Sequence, residues 1–306
     1  MAGMGQPTTA GRARSGDTEI YYESLGADGD PALVLVNGLG SQCISYEEEF
    51  CLGFVDRGFR VVRLDNRDVG LSTKFDAYEP DVVATLQAAV SGAEVTAPYR
   101  LSDMATDVMC VLDELEIGWA HLYGQSMGGM IVQTAAIEHA DRVASMTSVM
   151  STTGEIGFGG PQADVIEVLM TPSPAERDAA IARSVETSRV IGSPDYFDED
   201  RARRRAADAY DRCFCPRGSD RQLTAVIASG DRAAGLKDLD LATLVIHGDS
   251  DPLIAPSGGE RTAELVPGAE LMMIDGMGHD LPPVFWSKVI DGVTRLAASS
   301  SGPTAS

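Results

Sequence analysis

Apolar residues along this chain fall into two alternating patterns. Short continuous runs recur at Ala32-Leu33-Val34-Leu35-Val36, Phe59 to Leu64, Trp119 to Tyr123, Val143 to Met150, Ala242 to Ile246 and Leu271 to Ile274. Continuous runs of this length suit strands buried on both faces. Between them the spacing changes to that of helices. A helical stretch is expected from about Tyr46 to Arg57 and a short helix over Asp81 to Val90. Met104, Val108, Val111, Leu112 and Leu115 recur at helical spacing after an N-cap signal at Leu101-Ser102-Asp103. Further helices are expected over Met130 to Ile137, Gly258 to Val266 and Pro283 to Ala297. Thr18 to Leu25 reads as one more strand, ended by the turn-rich Gly26 to Pro31. Strands alternating with helices predict an α/β fold, with a mostly parallel central sheet covered by helices on both faces.

The alternation breaks between 152 and 235. That stretch holds five prolines (Pro161, Pro172, Pro174, Pro194, Pro216) and polar helical patterns at Ala175 to Val190 and Asp198 to Cys213, with no convincing buried strand. The basic run Arg201 to Arg205 fits a solvated helix face. The expected organisation is a core in two parts, 17–151 and 236–297, interrupted by a helical cap at 152–235. Residues 1–16 and 298–306 are small, polar and unpatterned, and read as disordered tails.

The strongest single signal is Leu122-Tyr123-Gly124-Gln125-Ser126-Met127-Gly128-Gly129-Met130. A buried-type strand runs into Gly-x-Ser-x-Gly and a helix runs out. That layout holds the serine in a strained turn clear of the sheet, at a helix N-terminus. Glycines on either side let strand and helix approach closely. The backbone N–H of Met127 points into the same space and can hold an oxyanion.

Composition narrows the chemistry. The chain has 306 residues and a net charge of −22, which argues against nucleic acid or an anionic membrane surface as a partner. Five cysteines (Cys43, Cys51, Cys110, Cys213, Cys215) are too few and too irregular for a disulfide framework. Cys213-Phe214-Cys215 lacks metal-ligand spacing and has no histidine nearby, so no metal or other cofactor is expected. No apolar run reaches a membrane-spanning length and no signal peptide is visible, so a cytoplasmic protein is the expectation.

In a parallel sheet, ligands gather at the carboxyl ends of the strands. The residues expected there are Asn37-Gly38-Leu39-Gly40, Asp65-Asn66-Arg67, Ser126, His247-Gly248-Asp249-Ser250-Asp251-Pro252 and Asp275 to Asp280. A serine hydroxyl needs a base in reach, and the base needs an acid to fix its tautomer. The chain offers four histidines. His121 lies within the strand before the elbow and His139 at the far end of the elbow helix. His279, on a Gly-flanked loop after the last strand, is the expected base, with His247 as its competitor. Asp251 is the expected acid, because Pro252 biases it to an extended backbone that turns it toward the histidine loop. Asp249 and Asp275 compete with it, and Asp249 suits a turn.

The order Ser, Asp, His is that of the α/β-hydrolases. With Asn37-Gly38-Leu39-Gly40, Gly124-Gln125-Ser126-Met127-Gly128-Gly129, Gly248-Asp249-Ser250-Asp251-Pro252 and Gly278-His279, residues 17 to 297 resemble that family, serine esterase type, with the helical insertion in place of its cap domain. The resemblance implies Leu39 and Met127 backbone N–H groups as oxyanion donors. Two departures stand out. Asn37-Gly38 replaces the commoner His-Gly, so the loop must be supported differently. Asp65-Asn66-Arg67-Asp68-Val69-Gly70-Leu71-Ser72 replaces the commoner Asp-x-Arg-Gly-x-Gly-x-Ser and resembles a narrower group that includes the aclacinomycin methylesterase type and actinobacterial lipase/esterase-like proteins. Asp65 and Arg67 are expected to be structural. Ser126 in place of an aspartate argues against dehalogenase or epoxide hydrolase chemistry.

The expected activity is hydrolysis of a carboxylic ester through an acyl-enzyme on a small to medium apolar substrate. A lactonase, a cofactor-free perhydrolase or haloperoxidase, an acyltransferase and a non-turnover small-molecule receptor are the alternatives. Met170, Tyr196, Phe197, Tyr210 and Phe214 in the cap are expected either to line the pocket or, more simply, to pack the cap onto the core.

Overall fold

The computed structural model describes residues 9–171, 173–300 and 302. Among these, eight strands form one sheet: β1 (Thr9–Ser15), β2 (Thr18–Leu25), β3 (Ala32–Val36), β4 (Arg60–Leu64), β5 (Ala120–Gln125), β6 (Val143–Val149), β7 (Thr243–Gly248) and β8 (Glu270–Ile274). They lie side by side in the order β1-β2-β4-β3-β5-β6-β7-β8. β1 and β2, and β2 and β4, pair antiparallel, and every pair from β4 to β8 is parallel.

Eleven α-helices accompany them among the described residues. Five follow or precede strands in the βα alternation: α1 (Glu48–Val55), α3 (Leu101–Glu114), α4 (Met127–Glu138), α10 (Ser257–Leu265) and α11 (Trp286–Ser299). α2 (Val82–Ser91) lies in the β4–α3 connection. The connection from β6 to β7 carries α5 (Ala163–Met170), α6 (Arg177–Ile191), α7 (Glu199–Arg212), α8 (Pro216–Ser229) and α9 (Ala233–Lys237).

Strand periodicity sorts the core into two layers. Val34 and Val36 of β3 face one side, with Met104 and Val108 of α3 and Ile131 and Val132 of α4. Leu33 and Leu35 face the other, with Phe50 and Phe54 of α1 and Val289 and Val293 of α11. Successive side chains of a strand point to opposite faces, so a strand covered on both sides is apolar at every position. All five residues of β3 are buried for that reason.

Both expected tails need correction. Residues 9–15 form β1, an edge strand hairpinned to β2 through Gly16-Asp17, with Gly16 at φ 61°. Among its residues only Ala13 is fully buried, and Arg12 and Arg14 face outward. A half-solvated edge strand with small and charged residues shows no hydrophobic pattern, and arginines there discourage pairing with another chain. At the other end, α11 continues through Ala298 and Ser299. Residues 1–8, 301 and 303–306 lie outside the described residues. The N-cap of α3 is Arg100, one residue before the expected signal, and Asp103 Oδ2 accepts the Arg100 N–H at 2.7 Å. No helix among the described residues is long and apolar enough to cross a membrane.

Candidate active site

The elbow joins β5 to α4 with Ser126 at φ 56° and ψ −121°, a left-handed backbone that a side chain rarely adopts. Hydrogen bonds hold it there. The Ser126 N–H donates to Val149 C=O at 2.9 Å, and the Ser126 C=O accepts from Ser151 Oγ at 2.8 Å. The two motif glycines are required by contact. A Cβ on Gly124 would stand 2.1 Å from Gly128 O, and one on Gly128 2.0 Å from Val36 O. Gly128→Ala is therefore expected to cost about 3 kcal/mol or more by overpacking against immovable backbone. Chemical denaturation of the variant would show it as a lower midpoint with unchanged slope; an unaltered midpoint would contradict the elbow geometry.

His279 Nε2 lies 2.9 Å from Ser126 Oγ, and His279 Nδ1 lies 2.7 Å from Asp251 Oδ2. The other carboxylate oxygen, Asp251 Oδ1, accepts the Leu253 and Ile254 N–H groups at 2.9 Å each. Burial by itself would raise the Asp251 pKa. The facing His279, hydrogen bonds from His247 and His279 and the Ile254 N–H outweigh it and hold the carboxyl down to about 2. His279 is carried on a loop clamped by the end of α6: its N–H donates to Ile191 C=O at 2.7 Å, and the Gly278 N–H donates to Ser193 Oγ at 2.9 Å.

The competitors fall elsewhere. His247 is fully buried, its Nε2 2.8 Å from Ile254 O and 3.5 Å from Asp251 Oδ2. Its Nδ1 is buried without a hydrogen-bond partner, which places the proton on Nε2, donating to Ile254 C=O. His247 thus braces the Asp251–Ile254 loop from beneath. Asp249 and Asp275 are exposed; Asp249 Oδ1 accepts the Gly276 N–H at 2.8 Å, as a turn residue does. His139 is the C-cap of α4, at the end remote from Ser126.

His121 sits in β5, 4% exposed, with Nδ1 2.8 Å from Ser145 Oγ. Burial lowers its pKa to about 4. Its unfolded value is higher, so the unfolded chain binds the extra proton first as the pH falls. Stability is then full above about pH 6.5 and declines by about 3 kcal/mol toward pH 4. His121→Gln is expected to flatten that decline in denaturation curves taken across this window. An identical slope in both proteins would refute it.

The two sequence departures have local explanations. Asn37 Nδ2 reaches Leu64 O at 3.4 Å, and Asn66 Nδ2 donates to Asn37 C=O at 3.0 Å, so a pair of asparagines supports the loop. Arg67 pairs in two-point fashion with the buried Asp107 of α3, with Nε–Oδ2 at 2.7 Å and Nη2–Oδ1 at 2.6 Å. Asp65 is fully buried and accepts the Cys43 N–H at 2.6 Å and the Leu71 N–H at 2.8 Å. Asp68 occupies a left-handed position, φ 72°, and accepts the Phe75 N–H at 2.8 Å and the Tyr99 hydroxyl at 2.6 Å.

The aromatic residues of the β6–β7 segment have packing partners. Tyr196 stacks edge-on against Phe285 at 5.0 Å, Tyr210 lies 4.5 Å from Phe214, and Phe197 lies under the Arg189 guanidinium at 4.3 Å. The Met170 side chain lies outside the described residues. Residues that sequence reading did not single out are Ser193, Arg212, Arg221 and Gln222, which contact the site loops from this segment. Ser193 stands in the turn after α6, and the other three are polar side chains at inward positions of α7 and α8, which spacing cannot distinguish from surface positions. A cavity of about 500 Å³ lined by Asp28, Arg60 and Trp119 opens at the N-terminal ends of β3, β4 and β5, the opposite end of the strands from Ser126.

Residues 31–283 match the alpha/beta hydrolase fold family. Rhodomycin D methylesterase DnrP of Streptomyces peucetius is 27% identical over 286 residues, covering 87% of this chain and 90% of that protein. The 3-oxoadipate enol-lactonase 2 of Acinetobacter baylyi is 25% identical over 266 residues, covering 85% of this chain and 86% of its own. Among solved structures, the enol-lactonase from Burkholderia xenovorans LB400 superposes with a TM-score of 0.73 at 21% identity, over 94% of this chain and 100% of that one. The strand order, the elbow and the match over most of the chain lead to one conclusion: this protein belongs to the alpha/beta hydrolase fold family and is a hydrolase.

Proposed function

We propose that the protein is a serine hydrolase of a carboxylic ester, with Ser126 as nucleophile, His279 as base and Asp251 as acid. The observation that carries this reading is the unbroken line from Ser126 Oγ to His279 Nε2 at 2.9 Å and from His279 Nδ1 to Asp251 Oδ2 at 2.7 Å, set on a strained elbow. His279 takes the hydroxyl proton as Ser126 attacks the ester carbonyl. The oxyanion accepts hydrogen bonds from the Leu39 and Met127 N–H groups. Met127 opens α4, where no preceding helical turn can accept its N–H. Gly38 supports Leu39 as a donor: a Cβ there would lie 3.2 Å from Ser126 Cβ, so the loop and the nucleophile are in contact. Protonated His279, steadied by Asp251, gives its proton to the leaving alcohol, and water releases the acyl group by the same route.

The segment 152–235 serves as the cap, and the substrate is a small to medium apolar ester. Similarity to a rhodomycin D methylesterase supports a methyl ester as the substrate. A lactone is the second reading, supported by similarity to enol-lactonases in both sequence and fold. A fluorophosphonate should label Ser126 stoichiometrically, and a panel of methyl esters, lactones and charged esters should rank apolar methyl esters first. No labelling and no turnover on any ester or lactone would overturn the reading. Preference for highly charged esters would overturn the substrate class.

A further inference from the structure

The loop expected to donate the Leu39 N–H is held largely by the cap. Gln222 of α8 is fully buried and bridges two backbones: its Oε1 accepts the Gly40 N–H at 2.8 Å and its Nε2 donates to Arg67 C=O at 2.8 Å. A donor on one side and an acceptor on the other leave only one orientation for the amide. α8 approaches so closely that a Cβ on Gly40, at φ 69°, would lie 2.5 Å from Ser219 Oγ. Gln42, two residues on, is held from α7: its Nε2 donates to Ala209 C=O at 2.7 Å and to Cys213 C=O at 2.9 Å, and its Oε1 accepts from Arg212 at 2.7 Å.

The same helices are seated by buried charge on the loop after β4. Arg212 reaches Asp65 Oδ2 at 2.8 Å, and Arg221, 1% exposed, donates from Nε to Asp68 Oδ1 at 2.8 Å. Asp68 keeps a strained backbone where the commoner motif has glycine, and its carboxylate is what Arg221 needs. Parting such buried pairs leaves uncompensated charges, so the seating of α7 and α8 is stiff.

We infer that Gln222 is a positioning residue for the oxyanion loop: by engaging Gly40 N–H it aims the adjacent Leu39 N–H at the reacting carbonyl, so the oxyanion site is complete only with the cap seated. This rests on the ester-hydrolase reading. With Gly40 N–H committed to Gln222 and Ser41 N–H donated to Gly38 C=O at 3.2 Å, Leu39 is the loop residue between Gly38 and Ser41 whose N–H remains for substrate.

Gln222→Met keeps the length of the side chain and removes both hydrogen bonds. Losing an oxyanion donor outright costs on the order of 100- to 1,000-fold in kcat. A donor left in place but loosely aimed should cost roughly 10- to 100-fold, with KM within about threefold. The affinity for a boronic acid, whose tetrahedral adduct uses the same donors, should fall with kcat/KM. A helix that only packs would move the melting temperature and KM while leaving kcat and boronate affinity together unchanged; that result overturns the inference. Should Gln222→Met fail to fold, Gln222→Asn, too short to span both partners, is read by the same two measurements. Wild-type protein is the control: if it neither labels at Ser126 nor turns over esters, the ester-hydrolase reading has failed; if it does both and the Gln222 variants match it, only the positioning role has.

Discussion

Ser126→Ala is expected to lower kcat on a short p-nitrophenyl ester by roughly a million-fold, with little change in KM. On the proposed mechanism the hydroxyl forms the acyl-enzyme, and without it His279 has no proton to take. Backbone donors and binding remain, so a residual rate above that of water should persist. The backbone adds an independent check. Alanine keeps a Cβ at φ 56° and so retains the strain, whereas glycine relieves it. Ser126→Gly should therefore be as inactive as Ser126→Ala but more stable by about 1 kcal/mol. Initial rates and thermal melts on the two variants decide both points. Turnover within tenfold of wild type in either variant would remove Ser126 from the mechanism.

Asp251→Asn should lower kcat by about ten-thousand-fold. The reason lies in the loop rather than in lost charge alone. The Leu253 and Ile254 N–H groups both point at Asp251 Oδ1. An asparagine would turn its only carbonyl oxygen to those two donors, presenting its NH2 to His279 Nδ1. That selects the imidazole tautomer protonated on Nε2, which cannot accept the Ser126 proton. Asp251 also carries acid stability. Its folded pKa, about 2, lies below the ordinary 3.8, so it stabilises the fold fully above pH 3.8, and the contribution fades as the pH falls toward 2. The difference amounts to about 2 kcal/mol. Asp251→Asn should lack that fading segment in denaturation curves between pH 4 and pH 2. A variant with wild-type kcat at neutral pH would disprove the acid role of Asp251.

Much of the sheet was legible because a strand buried on both faces has to be apolar at every position, as β3 is. The elbow was legible because Gly124 and Gly128 stand where a Cβ would meet backbone at about 2 Å, a demand local to one turn. β1 was illegible for the converse reason. An edge strand that buries one alanine carries no hydrophobic pattern, and its register comes from the hairpin with β2. α8 was missed because Arg221 and Gln222, both buried, look like surface residues when their partners lie some 150 positions away.

By itself the sequence determined the alternation of strands and helices, the elbow and the set of polar residues able to reach one rim, since each follows from spacing within a few residues. Spacing left His247 and His279, and Asp249, Asp251 and Asp275, as rivals. Tertiary structure placed them differently: it buried His247 under the Asp251 loop, left Asp249 and Asp275 exposed, and brought His279 to within 2.9 Å of Ser126. It also decided that the helical segment after β6 grips the loops on both sides of that serine, through Ser193 at Gly278 and Gln222 at Gly40. Hydrogen bonds between residues 85 and 182 positions apart depend on the packed geometry of the whole sheet, and no local pattern encodes them.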